Sequence, residues 1–162
     1  MIDKDLLLQT IERSLEGSDL YLVELRVSPS NEINVEIDSD TKVDIDECVA
    51  LTRDIESVFD REVEDYELEV GSSGLTAPLK VLRQFRKNLG NDMVVLTGDG
   101  RILRGRLSSA EAGESGDPRD VRFTLTVTAK VKEPGAKRPV VREEDIALDT
   151  PGCKSVVYDL KF

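Results

Sequence analysis

Histidine and tryptophan are absent from this 162-residue chain, and aromatic residues make up only 4% of it. Without histidine, the chain lacks the commonest general base and metal ligand of proteins and a usual member of hydrolytic triads. Because aromatic residues are so few, valine, leucine and isoleucine must supply most of the packing. The composition therefore argues against most hydrolase mechanisms and favours small aliphatic cores, which suit two compact domains.

Long apolar runs and closely spaced cysteines are also missing. No stretch of about 18 apolar residues, the length of a membrane-spanning helix, occurs in the sequence. The first residues lack the pattern of a signal peptide. Cys48 and Cys153 lie far apart in sequence, and no histidine completes a zinc site. We therefore expect a cytoplasmic protein with two reduced thiols and without a membrane contact, metal or cofactor.

The segment Gly71-Ser72-Ser73-Gly74 has a superficial likeness to a catalytic motif. A Gly-x-Ser-x-Gly nucleophile elbow would need glycine where Leu75 stands, and the base that activates its serine is missing. The same glycines could cradle a phosphate, but no Gly-Lys-Ser/Thr follows, and Glu67 and Glu69 would repel the anion. We expect a turn here, with no catalytic residue and no small-molecule substrate.

A second likeness, to a calcium-binding loop, begins at Asp38, Asp40 and Asp44. In that template, counted from Asp38, the required glycine is replaced by Val43 and the closing glutamate by Val49. The spacing therefore excludes the calcium loop, and a solvated acidic hairpin end that leads into a helix accounts for the three aspartates.

The net charge of −11 is divided unevenly along the chain. Residues 1–82 contain 21 acidic and 7 basic side chains, whereas residues 83–162 contain 12 acidic and 15 basic side chains. The first part therefore carries −14 and the second +3, which favours two domains with different electrostatic partners. An acidic surface can also serve solubility alone, and this explanation stays open for the N-terminal half.

The N-terminal half has the pattern of an α/β domain. Helical spacing of apolar residues predicts two helices, whose apolar faces carry Leu7, Leu8, Ile11 and Leu15 in the first and Cys48, Leu51, Ile55 and Phe59 in the second. Alternation of apolar and polar residues predicts three strands, residues 21–27, 33–37 and 66–70. Asp3 is placed to cap the first helix, and Asp44 with Glu47 has the spacing of a capping box. We expect an α-β-β-α-β domain over residues 1–82, with two helices on one face of the sheet.

The second half, residues 83–162, has the pattern of a small all-β domain. Leu82, Phe85 and Leu89 indicate a short helix that Gly90 ends, and Gly98-Asp99-Gly100 marks a tight hairpin. The predicted strands are residues 93–97, 101–107, 121–131, 140–141, 146–148 and a terminal strand that carries Val156, Tyr158, Leu160 and Phe162. Short strands of this number predict a closed or nearly closed barrel.

The two halves meet at residues 66–80, which read YELEVGSSGLTAPLK. A strand is predicted to stop at Gly71, and two glycines supply backbone freedom that other residues lack. Pro78 fixes φ, and the leucines on either side of it are unusual for an exposed linker. We expect a rigid joint that holds the domains at a set angle. Its residues are Gly71, Ser72, Ser73, Gly74, Leu75, Pro78 and Leu79.

Basic residues recur on predicted strands of the second half. Arg104 and Arg106 share one strand face, and Arg122, Lys130 and Lys132 share the polar face of another. If the two strands are neighbours, they form a cationic patch that suits phosphates; a merely solvated strand face is the alternative. Because no aromatic residue interleaves with the charges, stacking of single-stranded bases is disfavoured, whereas backbone contacts to structured RNA or to an acidic protein stay open. The candidate contacts are Arg101, Arg104, Arg106, Arg122, Lys130, Lys132, Lys137 and Arg138.

The joint carries a resemblance to a known family. Its relevant residues are Glu69, Val70, Ser72, Gly74, Leu75, Pro78 and Leu79. They match a Glu-Val strand end, a Ser-Ser-Pro-Gly-Leu turn, a polar pair and Pro-Leu, and the segment from Arg101 to Leu107 is similar to a basic strand that ends in Gly-x-Leu. The chain departs from this pattern at Gly71, Ser73, Thr76 and Ala77. On these features it resembles the RimP family of bacterial ribosome maturation factors over essentially its whole length.

The resemblance implies a non-enzymatic assembly factor with an α/β N-terminal domain and an SH3-like C-terminal barrel. It implies binding to the immature 30S small ribosomal subunit, help in its late maturation, and contact with a basic ribosomal protein near the decoding region. Combined with the charge division, this predicts a monomer whose acidic domain faces that protein and whose cationic barrel faces ribosomal RNA. The alternative is a stand-alone Sm-like regulator that binds naked RNA and assembles into a ring.

Overall fold

The computed structural model describes residues 1–135 and 137–160, and these form two compact units that divide between Gly74 and Leu75. Each unit has its own sheet and its own hydrophobic core, so the protein is of the α+β class. Among the described residues, no helix is long and apolar enough to cross a membrane. The segment 75–82, placed in the first domain on sequence grounds, has Leu79 and Leu82 packed against the core of the second unit.

The first unit has two helices and three strands. Its elements are α1 (Lys4–Leu15), β1 (Leu20–Val27), β2 (Glu32–Ser39), α2 (Ile45–Val58) and β3 (Glu67–Ser72). The Asp3 side chain accepts the N–H of Leu6 at 3.1 Å and so caps α1. At the start of α2, the Glu47 carboxylate accepts the N–H of Asp44 at 2.9 Å, as expected for a capping box. Both helix starts predicted from the sequence are therefore confirmed.

The sheet of the first unit has the order β1-β2-β3 and packs its core against the two helices. β1 pairs antiparallel with β2, and β3 returns parallel to β2 after the crossover through α2. Ile33, Val35 and Ile37 of β2 are buried in one cluster with residues of both helices such as Ile11 and Ile55. Because side chains alternate along a strand, the even-numbered residues of β2 lie on the face away from the helices.

β3 is longer than the sequence pattern indicated. The predicted strand stopped at Gly71, but parallel pairing places Gly71 opposite Glu36 and Ser72 opposite Ile37. Tyr66, predicted to be part of the strand, lies just before it. Its ring is buried and its hydroxyl donates to the Phe59 carbonyl at 2.8 Å. The strand continues because pairing with β2 supplies hydrogen bonds that do not depend on side-chain alternation.

The second unit has one short helix and five strands. Its elements are α3 (Leu82–Lys87), β4 (Asp92–Thr97), β5 (Ile102–Ala112), β6 (Val121–Val131), β7 (Val140–Asp149) and β8 (Cys153–Tyr158). Neighbouring strands are antiparallel in the order β7-β6-β5-β4-β8. Within the described residues, β7 and β8 are therefore the two edges of an open ladder, which is not the closed barrel allowed by the sequence pattern.

The alternating apolar residues of β6 form part of the core of the second unit. Val121, Phe123 and Leu125 are buried, and the Phe123 ring lies 5.1 Å from that of Phe85 on α3. The tight hairpin before β5 is also present, because Gly100 has a φ of 90°, a conformation that favours glycine. The strand and turn patterns of this unit thus predicted its central elements correctly.

Two strands near the C-terminal end differ from expectation. β7 is one continuous strand, although residues 142–145 are charged and separated the two predicted pieces. It forms because every residue from Val140 to Asp149 pairs with β6, while most of its side chains are exposed. β8 ends at Tyr158, and Phe162, part of the predicted terminal strand, lies outside the described residues.

Candidate interaction surfaces

Residues 73–79 of the predicted joint are anchored at both ends. The Ser73 N–H donates to the Ile37 carbonyl at 2.9 Å, and its hydroxyl donates to the Glu36 carboxylate at 2.7 Å, both within the first unit. The Leu79 N–H donates to the Val156 carbonyl at 2.8 Å in the second unit. Each end of this segment is therefore fixed to its own unit by backbone hydrogen bonding.

The glycines of the joint do not use the freedom that the sequence suggested. Neither Gly71 nor Gly74 has a positive φ, and a Cβ atom on either would meet no other atom within 4 Å. Leu75 is 67% exposed, so its side chain does not join a core. The expectation of a glycine-specific conformation at these two positions is therefore wrong, and the rigidity of the joint stays a prediction.

The first unit places acidic residues directly opposite one another on the helix-free face of its sheet. Glu32 of β2 pairs in register with Glu67 of β3, and both side chains are exposed. Glu24 of β1 is opposite Glu36, but here Arg26 lies 3.9 Å from the Glu24 carboxylate and the Ser73 hydroxyl donates to that of Glu36. Like charges directly across a sheet destabilise it. The first unit thus retains one pair of like charges, Glu32 and Glu67, that face each other across its sheet.

The loop after α2 extends this negative surface. Asp60, Glu62 and Asp65 precede β3, and the chain here contains Glu64 as well. The N-terminal ammonium lies 2.5 Å from the Glu64 carboxylate, and the Asn31 amide donates to it at 3.1 Å. These two hydrogen bonds hold the pKa of Glu64 below its ordinary value. We call Glu32, Asp60, Glu62, Asp65, Glu67 and Glu69 the acidic surface.

In the second unit, β5 and β6 are neighbours, which fulfils the condition for a shared basic face. The four arginines proposed as contacts, however, each lie beside a carboxylate of the same unit. The pairs are Arg101–Asp99 at 3.1 Å, Arg104–Asp159 at 3.5 Å, Arg106–Glu143 at 4.0 Å and Arg122–Glu114 at 2.8 Å. The strand face is therefore of mixed charge, because acidic residues of β7 and of the loops alternate with its arginines.

The four remaining candidate cations lie at the far end of the β6–β7 hairpin. Lys130, Lys132, Lys137 and Arg138 are all exposed, and no carboxylate pairs with any of them in the part of the chain that the structure describes. We call residues 129–135 and 137–142 the arm. The structure thus divides the eight predicted contacts into a paired group on the strand face and an unpaired group on the arm.

Exposed valines accompany the cations of the arm. Val131 and Val140 face each other across the hairpin and are 42% and 38% exposed, and Val141, opposite Lys130, is 58% exposed. Both faces of the arm are therefore in contact with solvent. Sequence reasoning missed these valines because their alternation with lysine continues that of the buried part of β6. A buried valine needs a second apolar layer packed against it, and only the three-dimensional structure shows whether that layer is there.

Reactive groups are few in the described residues, where no cluster of three or more histidine, cysteine, aspartate or glutamate side chains is arranged to hold a metal ion. Cys48 and Cys153 are free thiols. Burial raises the pKa of both, and the neighbouring carboxylates of Glu47 and Asp149 add to the shift. At neutral pH these thiols are mainly protonated and are weak nucleophiles.

Comparisons with known proteins agree with the motif in the joint. The family pattern described as the RimP N-terminal domain matches residues 10–76. Two proteins named ribosome maturation factor RimP, from two strains of Porphyromonas gingivalis, are each 40% identical over 157 residues, which cover 97% of this chain and 98% of each relative. A protein of the same name from Christiangramia forsetii is 31% identical over 133 residues, covering 82% of this chain and 81% of the relative. The chain belongs to the RimP family of ribosome maturation factors.

Proposed function

We propose that this protein is a cytoplasmic, non-enzymatic factor that binds the immature 30S small ribosomal subunit as a monomer and assists its late assembly. The observation that carries the proposal is its 40% identity, over nearly the whole length of both chains, to proteins named ribosome maturation factor RimP. The separation of charge between the two units supports it further. A subunit made of RNA and basic proteins offers a partner for each sign of charge.

The acidic surface is the proposed contact for a basic ribosomal protein near the decoding region. Residues 1–74 contain 21 acidic and 6 basic side chains, so a cationic partner is attracted over long range. The pairing of Glu32 with Glu67 adds a local reason, because a lysine or arginine placed between them would replace repulsion by attraction. Binding of this kind weakens as salt screens the charges.

The second unit is the proposed contact for ribosomal RNA. Surface ion pairs such as Arg101–Asp99, in which both side chains are exposed, contribute only about 0–1 kcal/mol, so exchanging the carboxylate for a phosphate has a small energetic cost. The paired arginines of the strand face therefore remain available to an RNA backbone that approaches closely. The arm adds cations that can bind a phosphate without first losing a carboxylate partner.

The second unit is also proposed to be a small barrel of the SH3-like kind. Its five antiparallel strands share one core, and a connection of only three residues joins the edge strands β7 and β8. Within it, the Thr150 N–H donates to the Val121 carbonyl at 2.9 Å, and the Gly152 carbonyl accepts the Gly98 N–H at 2.8 Å. A compact barrel of this kind presents its outer strand face and hairpins to a partner.

One observation favours the alternative, a stand-alone Sm-like RNA-binding regulator. β7 and β8 are edge strands in the described residues, and edge strands can pair with those of another copy. Such a ring would have several times the mass of one chain and would bind naked RNA in the absence of ribosomal proteins. Light scattering of the purified protein distinguishes a ring from the monomer proposed here.

The test of the proposed function is a sucrose-gradient profile of cells that lack the protein. We expect free small subunits that contain unprocessed ribosomal RNA to accumulate, and expression of the wild-type chain to restore the normal profile. As a direct companion measurement, purified protein should co-sediment with immature small subunits. A normal profile in the deletion strain, together with no co-sedimentation, would contradict a role in small-subunit assembly.

A further inference from the structure

We propose that the arm binds double-helical RNA by lying along its wide, shallow minor groove, with its cations on the phosphates of the two strands. This inference rests on the proposed function, since it names the chemical form of the RNA that the second unit recognises. Three features of the hairpin support it. They are the point at which β5 stops pairing with β6, the position of the cations without carboxylate partners, and the identity of the exposed apolar side chains.

The arm is the outer end of a two-stranded ribbon: it combines the paired residues 129–131 and 140–142 with the loop residues 132–135 and 137–139, and β5 leaves β6 before the arm begins. The pairing of β5 with β6 stops at Arg106 opposite Thr126, whereas β6 and β7 remain paired to Val131 opposite Val140. From Val127 to Val131 the hairpin therefore extends by about 13 Å, and no strand of the described residues other than β7 pairs with β6 there. The ribbon is exposed on both faces and is narrow enough to approach a groove.

Four cations that lack a carboxylate partner in the described part of the chain belong to the arm: Lys130 lies on β6, and Lys132, Lys137 and Arg138 lie on the loop between β6 and β7. The arm contains five basic residues and one acidic residue, Glu133, whose carboxylate is engaged by Arg142. The other four cations have no carboxylate partner among the described residues, in contrast to the arginines of the strand face. Binding of phosphate to these four breaks no ion pair within the protein, so the arm gains the full benefit of counterion release.

The apolar residues of the arm favour a duplex over a single strand. No aromatic residue occurs between Ala129 and Arg142, so the arm has no platform on which unpaired bases stack. It exposes Val131, Val140 and Val141 instead, which can pack against sugars. In A-form RNA the minor groove is wide and shallow and displays ribose, whereas the major groove is too deep and narrow for side chains to read. The arm fits the minor groove.

The experiment compares two variants of the full chain that lose the same charge at different places. The arm variant carries Lys130→Gln, Lys132→Gln, Lys137→Gln and Arg138→Gln, and the control carries Arg101→Gln, Arg104→Gln, Arg106→Gln and Arg122→Gln. Fluorescence anisotropy measures binding of each protein to a labelled RNA duplex and to a single strand of the same length over a range of salt concentrations. Circular dichroism verifies that both variants remain folded.

We expect the wild-type chain to prefer the duplex. The arm variant should weaken duplex binding at least tenfold and lower the slope of log affinity against log salt by about 3, since most of four phosphate contacts are lost. The control should lower the slope by about 1 or less, because a duplex held along the arm does not approach the strand face closely enough to replace the carboxylates beside its arginines. Equal losses in the two variants, a preference for the single strand, or no duplex binding by the wild-type chain would each overturn the proposal.

Co-sedimentation with immature small subunits separates this inference from the proposed function. If the wild-type chain does not co-sediment, the proposed function fails, whatever the duplex result. If the wild-type and arm variants co-sediment equally well at moderate salt, binding to the subunit stands and the arm is not the RNA contact. We expect the arm variant to dissociate from the subunit at lower salt than the control variant does.

Discussion

The two units of this protein differ in how they arrange charge as well as in its sign. In the first unit, carboxylates face carboxylates across the sheet, as Glu32 and Glu67 do. In the second, arginines on the strand face lie beside carboxylates, and unpaired cations occur on the arm. The sign of the net charge therefore distinguishes the two units, and the pairing of charges distinguishes the surfaces within each unit.

The largest effect on stability is expected when a large buried side chain is removed from one of the two cores. Phe85 is fully buried in the second core and packs against Phe123. Phe85→Ala should destabilise the second unit by about 3–5 kcal/mol. If the two units are energetically separate, amide signals of Val95 are lost at a lower urea concentration than in the wild type, whereas those of Val35 are unchanged. Urea titration followed by NMR gives both values in one experiment.

The matched variant in the first unit is Leu51→Ala, which removes a buried side chain of α2. We expect a cost of about 2–5 kcal/mol and the opposite pattern of signal loss. Simultaneous loss of both signals in both variants would contradict the separation of the two cores and would make the chain a single cooperative unit.

The next effect compares Gly105, the glycine of the Gly-x-Leu segment, with Gly71, at which the chain departs from the family pattern. A Cβ atom on Gly105 would lie 2.4 Å from the Thr126 carbonyl oxygen, a backbone atom that cannot move aside easily, whereas one on Gly71 would meet nothing within 4 Å. Gly105→Ala should therefore cost about 1–3 kcal/mol through overpacking. Gly71→Ala should be neutral or stabilise by up to about 1 kcal/mol.

Thermal unfolding by calorimetry measures both glycine variants. Equal changes in unfolding temperature would show that close approach of β5 to β6 at Gly105 is not a constraint in solution. A loss on Gly71→Ala alone would restore the glycine-specific conformation that the sequence suggested for the joint.

The sequence predicted correctly those features that depend on one segment of the chain, and it missed features that depend on the pairing of two strands. Asp3, Asp44 and the alternation in β6 act locally, so the helix starts and the buried strand were predicted correctly. The continuity of β7 and the extra length of β3 depend on pairing with a neighbouring strand, which no local pattern contains. Local sequence patterns were therefore sufficient to predict which helices and strands form, and insufficient to predict where β3 and β7 begin and end.

The same distinction applies to the candidate surfaces. The basic residues of β5 and β6 were predictable as exposed, because they alternate with apolar residues. Their carboxylate partners were not, since Asp159 is far from Arg104 in sequence and Glu143 far from Arg106. The register that brings Glu32 opposite Glu67 is equally a property of two strands. Charge patterns along one strand therefore show which residues are exposed and not which are free to bind.

A smaller effect tests whether the acidic surface is kept for binding rather than for stability. Glu67→Gln removes one of two like charges that face each other, so it should stabilise the first unit by about 0.2–1 kcal/mol. The same variant should weaken retention of basic small-subunit proteins in a pull-down. Glu56→Gln, at an exposed position on α2, is the control with the same change of charge. Stabilisation without weaker retention would assign the acidic surface to solubility.

The smallest effect concerns single carboxylates, one in each unit, whose pKa values are lowered by neighbours. Glu64 is held by the N-terminal ammonium and then by Asn31, and Asp120 by the hydroxyl and then the backbone N–H of Ser115. Because each folded pKa lies below the unfolded value of about 4, ionisation contributes stability above that pH. The contribution is lost as the pH falls through the folded pKa.

Asn31→Gly removes the weaker cause at Glu64 and tolerates the positive φ of 59° at that position, whereas Ser115→Ala removes the stronger cause at Asp120. Both pKa values should rise toward their ordinary values in an NMR pH titration, and Ser115→Ala should remove the larger share of its shift. Each variant should then lose less stability than the wild type on acidification. A Glu64 pKa that does not move in Asn31→Gly would mean that the N-terminal ammonium, and not the Asn31 amide, lowers the pKa of that carboxylate.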